Sequence, residues 1–149
     1  WQFWQDRRSG EDLPARNDFM IEDFLPWGRN ISMMAFQADP SDYRVTLASN
    51  AMISLNGVNP TGKSPREYVP PKAYDFAVTN LRQSARERCA VHDRYRRGIP
   101  GKWLYCDRLT LPCAGDGTTV AYFLIAHYFD DGFLGQLFNL SIHHREPDF

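Results

Sequence analysis

Residues 56–68, NGVNPTGKSPREY, decide between two folds. From Gly57 to Ser64 they keep the spacing of a phosphate-gripping loop: a glycine, four residues, then Gly62, Lys63 and Ser64. In a nucleotide-binding α/β fold such a loop leaves a buried strand and opens a long helix, whose first N–H groups hold the phosphates. Here Ser64 is followed at once by Pro65, and Pro70 and Pro71 interrupt the chain again. Residues 50–71 therefore admit only short helical turns and loops. The run AYFLIAHYFDD at 121–131 imitates the strand and acid that hold magnesium in such folds. Residues 91–130, however, supply turns where parallel strands would need crossover helices. The stretch reads as a glycine-rich turn, and P-loop nucleotide binding is kept as a third alternative.

On either side of this turn the periodicity is clear. Downstream, Ala73, Phe76, Ala77, Leu81, Ala85 and Cys89 recur at helical spacing and predict one long helix over 72–90, with Asp75, Arg82, Arg86 and Glu87 off the stripe. After His92 the pattern changes to three extended runs, HDRYRRG, KWLYCDRLTLPC and TTVAYFLIAHYF, separated by the turn sequences GIPGK and AGDG. In the second run Trp103, Tyr105, Asp107, Leu109 and Leu111 share a face, and in the third Val120, Tyr122, Leu124 and Ala126 do. Upstream, ISMMAFQA and YRVTLA flank the turn DPSD and predict a β-hairpin. Asp18 is expected to cap a short helix over 19–25, closed by Pro26 and Gly28, and FWQDRR to end a helix that SGEDLP breaks. The order hairpin, short helical loops, long helix, meander predicts an α+β fold. It is a five-stranded antiparallel sheet with short helices and one long helix packed on one face.

The chain has 149 residues, 43% hydrophobic and 23% charged, which suits one globular domain with its own core. The expected organisation is a helical or extended cap over 1–16, a domain over 17–131 and a tail over 132–149. A formal charge of -1 gives no general attraction to nucleic acid or an anionic membrane. The basic excess between Arg82 and Arg108 is interspersed with acids and reads as a solvated surface. Cys89, Cys106 and Cys113 make no paired framework, and no signal segment or long apolar span is seen. A reducing, cytoplasmic setting is the expectation.

Three fragments in this order resemble a PAS domain: SGEDLPARNDF at 9–19, DYRVTLA at 42–48 and GVNPTGKS at 57–64. They are similar to a bacterial subgroup with an LPxRxDF opening, a Tyr-Arg strand and a TGK or TGR turn, over approximately residues 4–130. Ser49-Asn50 departs from the Gly-Thr pair common there. The resemblance implies a sensory or interaction module in bacterial signal transduction, without turnover, and names no cofactor. It places a small ligand between the concave sheet and the 72–90 helix. Phe36, Leu47, Phe76, Leu81, Tyr105, Arg108, Tyr122 and Leu124 are then the pocket candidates, with Arg108 or Tyr122 orienting a carboxylate or carbonyl. A signalling-protein partner is expected, and Trp1, Phe3 and Trp4 are the expected contacts of a homodimer.

Other chemistry is poorly supported by the residues. His92 and His127 are the tempting haem or metal ligands, yet each reads more simply as structural or exposed. Cys106 and Cys113 stand too far apart for a close metal pair, and His143-His144 lies in the tail. Ser32, Ser49, Ser54 and Ser64 lack a nucleophile-elbow setting, and Asp130-Asp131 precedes a glycine turn. A flavin photoreceptor would need a reactive cysteine in 50–71, where none occurs. The main alternative is a small curved-sheet enzyme or carrier for an apolar ligand, for which Asp107 is the best inward-pointing acid.

Overall fold

A computed structural model describes residues 1–37, 42–99 and 102–130. Strands β1 (Ile31–Phe36) and β2 (Tyr43–Leu47) form the early hairpin. In β2 the buried Tyr43 and Val45 alternate with the exposed Arg44 and Thr46. Strands β3 (Val91–Ile99), β4 (Lys102–Ala114) and β5 (Val120–Asp130) form the meander. The sheet order is β2-β1-β5-β4-β3, with every neighbouring pair antiparallel. The hairpin joins the meander through β1 and β5, with Ile31 opposite Ala126 and Ala35 opposite Tyr122. The α+β arrangement expected from the sequence is thus the one observed. Between β4 and β5 the AGDG turn is held by the Asp116 carboxylate, which accepts from the N–H groups of Thr119 at 2.6 Å and Thr118 at 3.0 Å. Most of DPSD, the centre of GIPGK, and the tail with Asp131, His143 and His144 lie outside the described residues.

Helix α1 spans Gln2–Gln5, α2 spans Asn50–Asn56 and α3 spans Pro71–Glu87. Ser49 caps α2 by accepting from Met52 N–H at 3.2 Å, and Gly57 closes it at φ +70°, a left-handed conformation that glycine adopts without steric cost. Ser49 also donates its own N–H to Ser32 Oγ at 3.1 Å, so it ties the helix start to β1. The TGKS stretch opens no long helix. Gly62 N–H donates to Val45 O at 2.8 Å and Val45 N–H to Lys63 O at 3.0 Å, which covers the edge of β2. Ser64 then caps a single 3-10 turn, Pro65–Glu67; its N–H is received by Glu67 Oε1 at 2.7 Å and its Oγ meets Asp42 Oδ1 at 2.7 Å. Helix α3 ends earlier than the expected 90, because Arg88 turns left-handed at φ +51°.

Both faces of the sheet are partly covered. On the inner face Tyr74, Val78 and Leu81 of α3 pack on Tyr43, Phe123 and Ile125. The core stripe of α3 is therefore rotated from the expected one, and Cys89 lies beyond the helix, half-buried. On the outer face Trp4, Leu13, Phe19 and Phe24 pack on Met33, Leu111, Cys113 and Leu124. Trp4 is fully buried and its Nε1 donates to Pro112 O at 2.8 Å. The expected helix over 19–25 is instead two 3-10 turns, Arg16–Asp18 and Ile21–Phe24. Asp18 does not cap forward: its carboxylate reaches back to Ala15 N–H at 2.7 Å, and Asp23 likewise to Met20 N–H at 2.8 Å. No helix among the described residues is long and apolar enough to cross a membrane.

Candidate functional site

Where α3 diverges from the meander, the inner face leaves a cavity of about 250 Å³. Its apolar walls include Met34 and Ile125 from the sheet, Met52 from α2, and Ala73, Phe76 and Leu81 from α3. Residues 65 and 68–70 close one side, because the prolines that forbid a long helix after Ser64 hold this connection in extended and 3-10 conformations over the sheet. The polar contribution includes Asn56, Arg97, Arg108, Thr110 and His127.

A charged row crosses the floor. Register sets Asp93 opposite Arg108 and Arg108 opposite His127, so one inward-facing position on each of β3, β4 and β5 lies in line. Asp93 receives Arg108 Nε at 2.9 Å and Nη2 at 2.7 Å, a two-pronged pair with both side chains buried. Arg108 Nη1 donates to Ala77 O at 2.9 Å, linking β4 to α3. Burial opposes the Arg108 charge, but its neighbours, Asp93 foremost, together more than offset that and hold its pKa above the ordinary value. His127 is pushed down to about 3, first by burial and then by the charge of Arg108, so its imidazole is neutral at physiological pH. Asn56 Nδ2, Thr110 Oγ1 and His127 Nδ1 line the cavity as buried polar atoms that meet no hydrogen-bond partner among the described residues. Each such atom costs about 1–3 kcal/mol unless a guest or ordered water meets it.

Of the residues expected to line a pocket, Phe76, Leu81 and Arg108 do. Phe36 packs instead with Tyr43 and Phe123, at ring-centroid distances of 5.1 and 5.4 Å. Leu47 is exposed at the end of β2. Tyr105, Tyr122 and Leu124 have the opposite parity and lie on the outer face: Tyr105 beneath the Arg94 guanidinium, the other two against the N-terminal cluster. Asp107 shares that outer face, 3.1 Å from His92 Nε2, so the acid of the enzyme alternative is remote from the cavity. Ser32, Ser49 and Ser64 are taken up in the local contacts given above, and no cysteine lines the cavity. Among the described residues no cluster of three histidine, cysteine or acidic side chains could hold a metal. Sequence reasoning missed Thr110 and His127 as lining residues, although both follow from Arg108 once the inward parity of β4 and β5 is known. Asn56, at the end of α2, gave no signal.

Comparison with known proteins matches this geometry at the level of fold. No family model and no curated protein matches the chain. A solved light-oxygen-voltage domain, studied with a flavin analogue, is 15% identical over 78% of this chain and 87% of its own, with a TM-score of 0.54. A sensory box sensor histidine kinase from Vibrio cholerae is 15% identical over 73% of this chain and 85% of the solved chain, with a TM-score of 0.50. The chain has a PAS/LOV-like fold.

Proposed function

We propose that the chain is a non-catalytic sensory or interaction module of PAS type, of the bacterial subgroup its opening and TGK turn resemble. It binds a small molecule between α3 and the sheet and reports occupancy to a signalling protein in the cytoplasm. One observation carries the reading: a cavity with apolar walls whose lining includes buried polar atoms of Asn56, Thr110 and His127 that meet no partner among the described residues. A guest touching both α3 and the sheet stabilises the packing in which they stand correctly spaced, and only such differential affinity transmits a signal. The test is native mass spectrometry of the purified protein, joined to thermal shifts with small aromatic probes such as indole. The expected result is a retained molecule or a rise in Tm, with the rise abolished by Ala77→Leu, which fills the cavity from α3. An empty protein whose Tm no probe moves would overturn the reading.

The module also acts as a homodimer through its N-terminal aromatics in this reading, with Trp1 as the main contact, since Trp4 is spent within the chain and Phe3 packs against Phe19, Phe24 and Trp27. Sedimentation of Trp1→Glu should show a lower dimer fraction than the parent; an unchanged fraction excludes this contact.

A further inference from the structure

The cavity lining is unbalanced in charge. Arg96, Arg97 and Arg108 contribute to it, whereas among the described residues no aspartate or glutamate does. Arg108 is committed to Asp93 and to the α3 backbone. Arg96 lies over the outer-face Trp103 ring, 4.7 Å from its centroid. Arg97 shares the parity of Asp93 and therefore faces inward, and its Nη1 donates to Asn56 Oδ1 at 2.9 Å. Among the described residues no carboxylate pairs with Arg97.

That contact fixes the Asn56 amide. A guanidinium only donates, so the atom facing Arg97 is the amide oxygen and the NH₂ group points elsewhere. This NH₂ nitrogen is buried and meets no acceptor among the described residues. Arg97 and Asn56 thus offer only N–H donors to one corner of the cavity, with a positive charge that no described carboxylate compensates beside a neutral donor. A neutral carbonyl would satisfy the donors alone, whereas a carboxylate satisfies the donors and the charge together. Met52, Phe76, Leu81 and Ile125 form a part of the cavity suited to an apolar body.

We propose that the cavity takes a small carboxylate with an aromatic or compact aliphatic body, its two oxygens held between the Arg97 guanidinium and Asn56 Nδ2. The proposal rests on the ligand-binding reading above and specifies the ligand class. It moves the anion from Arg108, where sequence reasoning placed it, to Arg97, because Asp93 already neutralises Arg108.

The experiment titrates the full chain calorimetrically with benzoate, phenylacetate and indole-3-acetate, each beside its primary amide. The best carboxylate should bind about tenfold tighter than its amide, since charge-assisted hydrogen bonds are roughly twice as strong as neutral ones. Arg97→Gln should erase that preference and leave amide binding within about twofold. Asn56→Asp keeps an oxygen for Arg97, so the fold is preserved, but it replaces the NH₂ donor by a negative charge; carboxylate binding should disappear while the amide still binds. Amides that match or exceed their carboxylates would overturn the carboxylate class and leave a ligand cavity in place. Carboxylate preference that persists in both variants would overturn the assigned residues. Failure of every probe, amide and carboxylate alike, would count against the cavity reading itself.

Discussion

The Arg108 side chain illustrates how an ionic group is kept inside a domain this small. Burying a lone guanidinium is prohibitive, and here two bonds donated to Asp93 and others to the helix carbonyls of Ala77 and Phe76 replace the lost water. Removing one partner is therefore expected to cost more than the pair contributes. Asp93→Asn should lower unfolding free energy by about 3–5 kcal/mol in urea titrations, while Asp93→Leu combined with Arg108→Met should cost less, because no uncompensated charge remains. Equal losses in the two proteins would contradict this. Opposite Arg108, His127 resists protonation in the native state down to about 3, while the unfolded chain takes up a proton near 6.5. Between those values the unfolded state binds more protons, so the contribution of His127 to stability is fully present above about 6.5 and falls as pH drops toward about 3. The slope is about 1.4 kcal/mol per pH unit at most. Urea titrations at pH 7.5, 6 and 5 should show this component in the parent and its loss in His127→Gln; parallel pH profiles would refute it.

At the scale of elements, the caps explain both what the sequence disclosed and what it hid. Ser49 serves both α2 as a cap and β1 as a backbone anchor. Ser49→Ala should destabilise the protein by about 1 kcal/mol. A loss within error by thermal denaturation would mean that α2 is held by packing alone. Strand alternation, the proline barrier after Ser64 and the Asp116 turn made the hairpin, the meander and the absence of a phosphate helix legible, because each is a local signal. Which parity of β4 and β5 faces α3 was not legible. Both parities carry large apolar side chains, Leu111 and Leu124 toward the N-terminal segment, Phe123 and Ile125 toward α3, since cover lies on both sides of the sheet. That ambiguity sent Tyr105, Tyr122 and Leu124 to the wrong side of the expected cavity. It also concealed Thr110 and His127, which are polar residues on a face that hydrophobicity alone would assign to core. The 19–25 segment departs from the expected helix for a different reason: its acids satisfy N–H groups behind them, which favours two tight turns over one continuous helix.

Taken as a whole, the molecule is a sheet read from two sides. The inner side holds the cavity and α3; the outer side carries residues 1–30 over its β1-β5-β4 end and leaves Trp103, Tyr105 and Tyr128 exposed beyond them. The N-terminal segment is thus part of the folded domain and shares β4 and β5 with the cavity: Cys113 and Leu124 touch the segment, while Thr110 and Ile125 line the cavity. A change in the spacing of those strands reaches both sides through adjacent residues, which gives an occupied cavity a physical route to the N-terminal segment. Trp4 is the anchor of that segment, fully buried with its indole N–H bonded to Pro112 O. Its replacement removes the ring and also leaves that carbonyl unpaired. Trp4→Ala should cost about 3–5 kcal/mol and Trp4→Phe, which restores most of the volume but not the N–H, should cost distinctly less. Hydrogen exchange then separates local from global effects: in Trp4→Phe the amides of residues 1–30 should lose protection before those of β3. Uniform loss across the sheet would show that the segment and the meander unfold as one unit, and that the outer cover cannot move independently as a reporter of the cavity.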